Sequence, residues 1–136
     1  MRACFMGLGY IGLPTAIIAA KHGIDVIGVD INKEVVETTN EGRLHIIEPG
    51  LESLLKDVVT NGKLKAYTEP QICDAYFIVV PTPFKGDHEP DIFYVEAATR
   101  MVIPLLKPND LFVIESTSPV GTTEKMMNLI YETRPE

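Results

Sequence analysis

Apolar residues along this chain fall into short, nearly unbroken runs, separated by longer stretches in which they recur at helical spacing. Arg2–Met6, Asp25–Val29, Ala75–Val80 and Leu111–Glu115 are runs of the first kind and predict strands buried on both faces, with Leu64–Tyr67 a shorter and weaker one. Helices are predicted over Ile11–His22, closed by Gly23, and over Lys33–Asn40, capped by Asn32 and stopped by Gly42. Three more are predicted over Leu51–Val59, Phe93–Leu106 and Thr122–Glu132, with Pro104 expected to kink or end the fourth of the five. Phe84–Asp91 reads as a polar loop.

Strands that alternate with helices and are apolar throughout, rather than at every second residue, indicate a parallel sheet covered on both faces. The expected architecture is a single-domain α/β fold, a Rossmann-type doubly wound parallel sheet of about five strands filling residues 1–136. Its expected strand order is 3-2-1-4-5, with Leu111–Glu115 as an open edge prone to self-association. Full dinucleotide folds usually carry six strands, so an end at Arg134-Pro135-Glu136, just past a helix, reads as a truncation.

Composition narrows the partners. A net charge of −7 argues against nucleic acid, which is bound by surplus Lys and Arg, but leaves room for a phosphorylated small ligand held by backbone N–H groups. No signal peptide or membrane-length run is seen, so a cytoplasmic protein without membrane contact is expected. Cys4 and Cys73 lie in different elements and form no metal or redox pattern. His22, His45 and His88 have no partners at metal spacing.

The strongest chemical signal is Gly7-Leu8-Gly9-Tyr10-Ile11-Gly12, placed after a strand and opening a helix. Gly7 permits the tight turn, Gly9 lets a pyrophosphate approach the backbone, and Gly12 lets the helix pack on the sheet. N–H groups near Tyr10 and Ile11 then face the phosphates, with the helix dipole behind them. Asp30 closes the second strand, where a carboxylate accepts from ribose hydroxyls and repels a 2′-phosphate, which selects NAD over NADP. Lys33 lies close to this position, either as a solvated helix-start residue or as a cofactor contact. At the exits of later strands stand Val80-Pro81-Thr82-Pro83 and Glu115-Ser116-Thr117-Ser118-Pro119-Val120-Gly121-Thr122-Thr123. Thr82 and Thr117 are the ligand-facing candidates there, while Thr122 or Thr123 suits a helix N-cap. No catalytic nucleophile is identifiable.

GLGYIGLP at Gly7–Pro14, VDIN at Val29–Asn32, VPTPF at Val80–Phe84 and ESTSPVGTTE at Glu115–Glu124 together resemble the UDP-glucose/GDP-mannose dehydrogenase family. Phe84–Asp91 resembles the branch that oxidises UDP-N-acetyl-D-mannosamine. The resemblance implies an NAD-dependent, two-step oxidation of a sugar C6 hydroxyl to a carboxylate, using two NAD per substrate, in a parent enzyme that is a homo-oligomer. It also implies that Tyr10 and Ile11 lie at the pyrophosphate and Asp30 at the adenosine ribose. Thr82 and Thr117 would line the path to the nicotinamide, with Thr123 a weaker candidate. The family's catalytic cysteine, lysine and asparagine and its sugar-nucleotide domain lie beyond residue 136, so the fragment alone is expected to be inactive. Competing readings are a dehydrogenase for UDP-glucose, UDP-N-acetylglucosamine or GDP-mannose, a non-catalytic NAD-sensing module, and a methyltransferase. The hydroxyls clustered at two strand ends favour a dehydrogenase over a sensor, and the six-residue glycine spacing disfavours a methyltransferase.

Overall fold

The structure, a computed structural model, describes residues 1–9, 11–45, 48–80, 84–85, 89–90, 93–115 and 122–133, with only the backbone of 84–85 and 89–90. Along the chain run β1 (Arg2–Met6), α1 (Gly12–Lys21), β2 (Asp25–Val29), α2 (Lys33–Asn40), α3 (Leu51–Thr60), β3 (Leu64–Tyr67) and β4 (Ala75–Ile78). A small antiparallel ladder of β5 (Phe84–Lys85) and β6 (Glu89–Pro90) follows, then α4 (Phe93–Val102), β7 (Leu111–Ile114) and α5 (Thr122–Thr133). The ladder stands where the sequence predicts a loop, and its two-residue strands are too short to leave an alternating pattern. Pro104 acts as expected: α4 ends at Val102 and gives way to a single 3-10 turn over Ile103–Leu105.

The main sheet is parallel, in the order β3-β2-β1-β4-β7. This is the expected order, with β7 on one edge and its Leu111 half exposed. Alternate residues feed two separate cores. Phe5, Val26, Leu64 and Ala66 face the layer of α1, α2 and α3, meeting Leu13, Ile17, Val36, Leu55 and Val58. Cys4, Met6, Ile27, Val29, Tyr76 and Ile78 face the other layer, meeting Val95, Ala98 and Val102 of α4 and Met126 of α5. Helix crossovers therefore change face between β3 and β4, and the order reverses at the β1/β4 boundary, the switch point where such sheets bind ligands. α2 is tied to the sheet edge by Asn40, whose amide accepts from the Ala66 N–H at 2.8 Å and donates to the Ala66 carbonyl at 2.9 Å.

At the amino ends of the strands the polar groups are consumed internally. The Arg2 N–H donates to Asp74 Oδ2 at 3.0 Å, and the Cys73 N–H donates to the Tyr76 hydroxyl at 2.9 Å. Lys107 donates through Nζ to the Cys73 carbonyl at 2.7 Å and pairs with Asp110. Cys4 and Cys73, far apart in sequence, meet in this region: the interaction of their thiols, reinforced by burial, pushes the Cys4 pKa up, while the same interaction draws that of Cys73 down against the opposing effect of its burial. Burial likewise raises the Tyr76 phenol.

Candidate dinucleotide site

The carboxyl ends of the same strands are built differently. β1 ends at Met6, and Gly7 adopts φ +115°, a left-handed conformation that side chains rarely take. A Cβ there would also stand 2.7 Å from the Val79 carbonyl oxygen, and one on Gly12 would stand 2.0 Å from the Gly7 carbonyl oxygen. The first and third glycines of the motif are therefore steric requirements; Gly7 serves the tight turn as the sequence predicts, while Gly12 makes room first for the Gly7 carbonyl and only then for Val79 of the sheet side. An added Cβ on Gly9, by contrast, meets nothing within 4 Å, so this position opens onto free space.

The turn is fastened residue by residue. The Gly7 N–H donates to the Val29 carbonyl at 2.7 Å, and the Leu13 N–H donates to the Gly9 carbonyl at 3.0 Å. The Leu8 N–H donates to Asp30 Oδ2 at 3.2 Å, and the Asn32 N–H donates to Asp30 Oδ1 at 2.9 Å. Asp30 thus reaches the turn from the end of β2, with a lone pair on each oxygen still available to a hydrogen-bond donor. Asn32 caps α2 through the Glu34 N–H at 3.0 Å. α1, however, has no side-chain cap and no acidic residue in its first turn. With Leu13 already donating to Gly9 and Pro14 carrying no N–H, Ile11 and Gly12 offer the N–H groups of this helix start that suit an anion.

Beside the turn lies a cleft of about 580 Å³, within the range of small-ligand sites. Gly7, Gly9, Ile11 and Asp30 line one side; Val80, Phe93, Tyr94, Ala97 and Met101 line the other, with Glu115 also present. The apolar wall of α4 was not singled out in the sequence. The signal was available, because Phe93 and Tyr94 open the helix that follows the switch-point strand and remain exposed, as does Ile31 just after Asp30. Of the predicted site residues, Gly7, Gly9, Ile11 and Asp30 line this cleft, and Gly12 packs behind it against Gly7 and Val79; Tyr10, Thr82 and Thr117 lie outside the described residues. Lys33 is exposed at the start of α2 and does not line the cleft. Thr123 lines a different groove, with Phe112, Met127 and Tyr131 beside β7, because the buried Thr122 faces inward and its neighbour is turned away. Among the described residues no cluster of three metal-binding side chains occurs, and no helix is long and apolar enough to cross a membrane.

A sequence model of the UDP-glucose/GDP-mannose dehydrogenase family, NAD binding domain, matches residues 1–136. The chain is 54% identical over 131 residues to the UDP-N-acetyl-D-mannosamine dehydrogenase of Yersinia pestis, a match covering 96% of this chain and 31% of that protein. It is 52% identical over 131 residues to the NDP-N-acetyl-D-galactosaminuronic acid dehydrogenase of Ralstonia nicotianae, with the same coverage of 96% and 31%. The solved UDP-N-acetyl-mannosamine dehydrogenase of S. aureus superposes with a TM-score of 0.96 at 38% identity, over 100% of this chain and 33% of that one. The chain spans about a third of the length of these relatives.

Proposed function

Because the chain belongs to the UDP-glucose/GDP-mannose dehydrogenase family, matching it as an NAD-binding domain, we propose that it is the cofactor half of an enzyme oxidising the C6 hydroxyl of UDP-N-acetyl-D-mannosamine to a carboxylate with two NAD. The observation that carries this reading is the meeting of a helix start without a side-chain cap and the Asp30 carboxylate on one cleft. In the proposal, Gly9, Tyr10 and Ile11 receive the pyrophosphate on the backbone of a turn that Gly7 and Gly12 make possible. Asp30 accepts from the ribose hydroxyls and repels a 2′-phosphate. Ile31, Phe93, Tyr94 and Met101 supply an apolar bed for a ring, and Thr82 and Thr117 line the path beyond it. When bound, NAD supplies the hydride acceptor.

Neither Cys4 nor Cys73 suits a covalent role, since both are buried in the core away from the cleft. Residues 1–136 are therefore proposed to bind NAD without turning a sugar over, the chemistry belonging to a homo-oligomeric, cytoplasmic parent enzyme. Identity of 54% to the mannosamine enzyme of Y. pestis supports the substrate, and 52% to the R. nicotianae enzyme adds an N-acetylgalactosamine nucleotide, not foreseen from the sequence, as a second reading.

Calorimetry tests the site. NAD should bind more tightly than NADP, and Asp30→Ala should weaken NAD by about tenfold, the loss expected for a charged hydrogen bond, while weakening NADP less. Equal or tighter NADP binding to the unaltered chain would refute the assignment of Asp30. Mixing the chain with NAD and UDP-N-acetylmannosamine should leave absorbance at the NADH band flat; sustained NADH formation would place the active site within these residues.

A further inference from the structure

Among the described residues, the glycine-rich turn has a side-chain tether that comes from outside the β1–α1–β2 unit. His45, in the segment between α2 and α3, reaches back 37 positions and donates through Nε2 to the Leu8 carbonyl. We propose that His45 is a positioning residue for the dinucleotide turn, holding the Leu8–Gly9 peptide at the angle the pyrophosphate requires. This rests on the reading that the turn receives the pyrophosphate.

Three constraints meet on Leu8. Its N–H is held by Asp30 Oδ2 at 3.2 Å, its carbonyl by His45, and its side chain is fully buried. The side chain has a seat only because β2 carries Gly28 opposite it, where a Cβ would lie 2.9 Å from Leu8 Cδ2. The peptide that follows is planar, so the Leu8 carbonyl and the Gly9 N–H are fixed edges of one rigid unit. Pinning the carbonyl therefore sets the direction of the Gly9 N–H, at the residue whose surroundings are open. A ring nitrogen that faces a carbonyl must carry a proton, so His45 acts here as a donor. Without it the carbonyl can turn to water, because His45 itself is exposed. The fold then survives while the aim of the turn is lost.

The test compares His45→Ala with His45→Gln, whose side-chain amide offers a donor near the place of Nε2. ADP-ribose and adenosine are titrated separately and followed by NMR. His45→Ala should weaken ADP-ribose roughly fivefold, the factor matching a net hydrogen bond of about 1 kcal/mol. Adenosine, which has no pyrophosphate, should bind unchanged, and His45→Gln should restore ADP-ribose to within about twofold. The proposal is overturned if His45→Ala binds ADP-ribose as the unaltered chain does, if both ligands weaken equally, or if glutamine gives no rescue. Failure of the unaltered chain to bind ADP-ribose at all would instead overturn the cofactor site itself, and the proposal with it.

Discussion

The two ends of the sheet are made from the same strands and treat their polar groups in opposite ways. At the amino end, Arg2, Asp74, Cys73, Tyr76, Lys107 and Asp110 close on one another, each main-chain donor meeting an acceptor of the chain itself. At the carboxyl end, α1 starts without a side-chain cap, Gly9 faces open space and Asp30 retains unused lone pairs. Hydrogen bonds satisfied within the chain add to stability, whereas donors left aimed at a cleft add to it only when something arrives to accept them. The difference teaches where to look in such a sheet: the binding end is the one whose backbone is held firmly yet left partly unspent.

That contrast can be broken at either end. The largest effect is expected from Gly12→Ala, whose Cβ would collide with the Gly7 carbonyl. It should cut NAD affinity by roughly a hundredfold and cost about 3 kcal/mol of stability through overpacking. Calorimetry with a parallel thermal melt reads both, and unchanged affinity would show that the turn is not the anion site. Tyr76→Phe strikes the opposite end, removing the acceptor of the buried Cys73 N–H. It should cost about 1–2 kcal/mol in a denaturant titration while leaving NAD affinity unchanged. A fall in affinity as large as that in stability would mean the ends are not separable. The smallest effect belongs to Lys63→Ala, which removes an exposed pair with Asp25 at 3.2 Å. Stability should stay within about 0.5 kcal/mol of the unaltered chain, as for most surface pairs, and a larger loss would show that the rim of the amino end contributes more than its exposure suggests.

What the sequence revealed follows the reach of each interaction. The strand runs, the order of the sheet, the turn at Gly7, the cap at Asn32 and the position of Asp30 at the end of β2 were legible, because each depends on neighbours within one β–α–β unit or on the burial of both sheet faces. Contacts between distant segments were not. Nothing in the spacing links His45 to Leu8, Asn40 to Ala66, or Cys4 to Cys73, since each pair meets only after the layers have packed. Gly28 belongs with these: inside an apolar run it looks like a weak strand residue, and only the position of Leu8 explains it. The wall of Phe93 and Tyr94 was passed over although both are exposed at the start of α4, because a helix signals its buried stripe more clearly than a start that opens on a cleft.

The seat of Leu8 has a consequence for how this molecule responds to damage far from its cleft. Leu8 belongs to the same packed cluster as Leu13, Leu51 and Leu55, so the cofactor turn and the α1/α3 layer share one contiguous piece of core. A cavity opened in that layer lets the turn populate conformations unable to bind, and apparent affinity falls by the fraction of molecules so displaced. The coupling is reciprocal: a ligand that selects the ordered turn must also tighten the layer beneath it and raise its resistance to unfolding. A substitution at Leu55, remote from the cleft, would then register in a binding isotherm as though it belonged to the site.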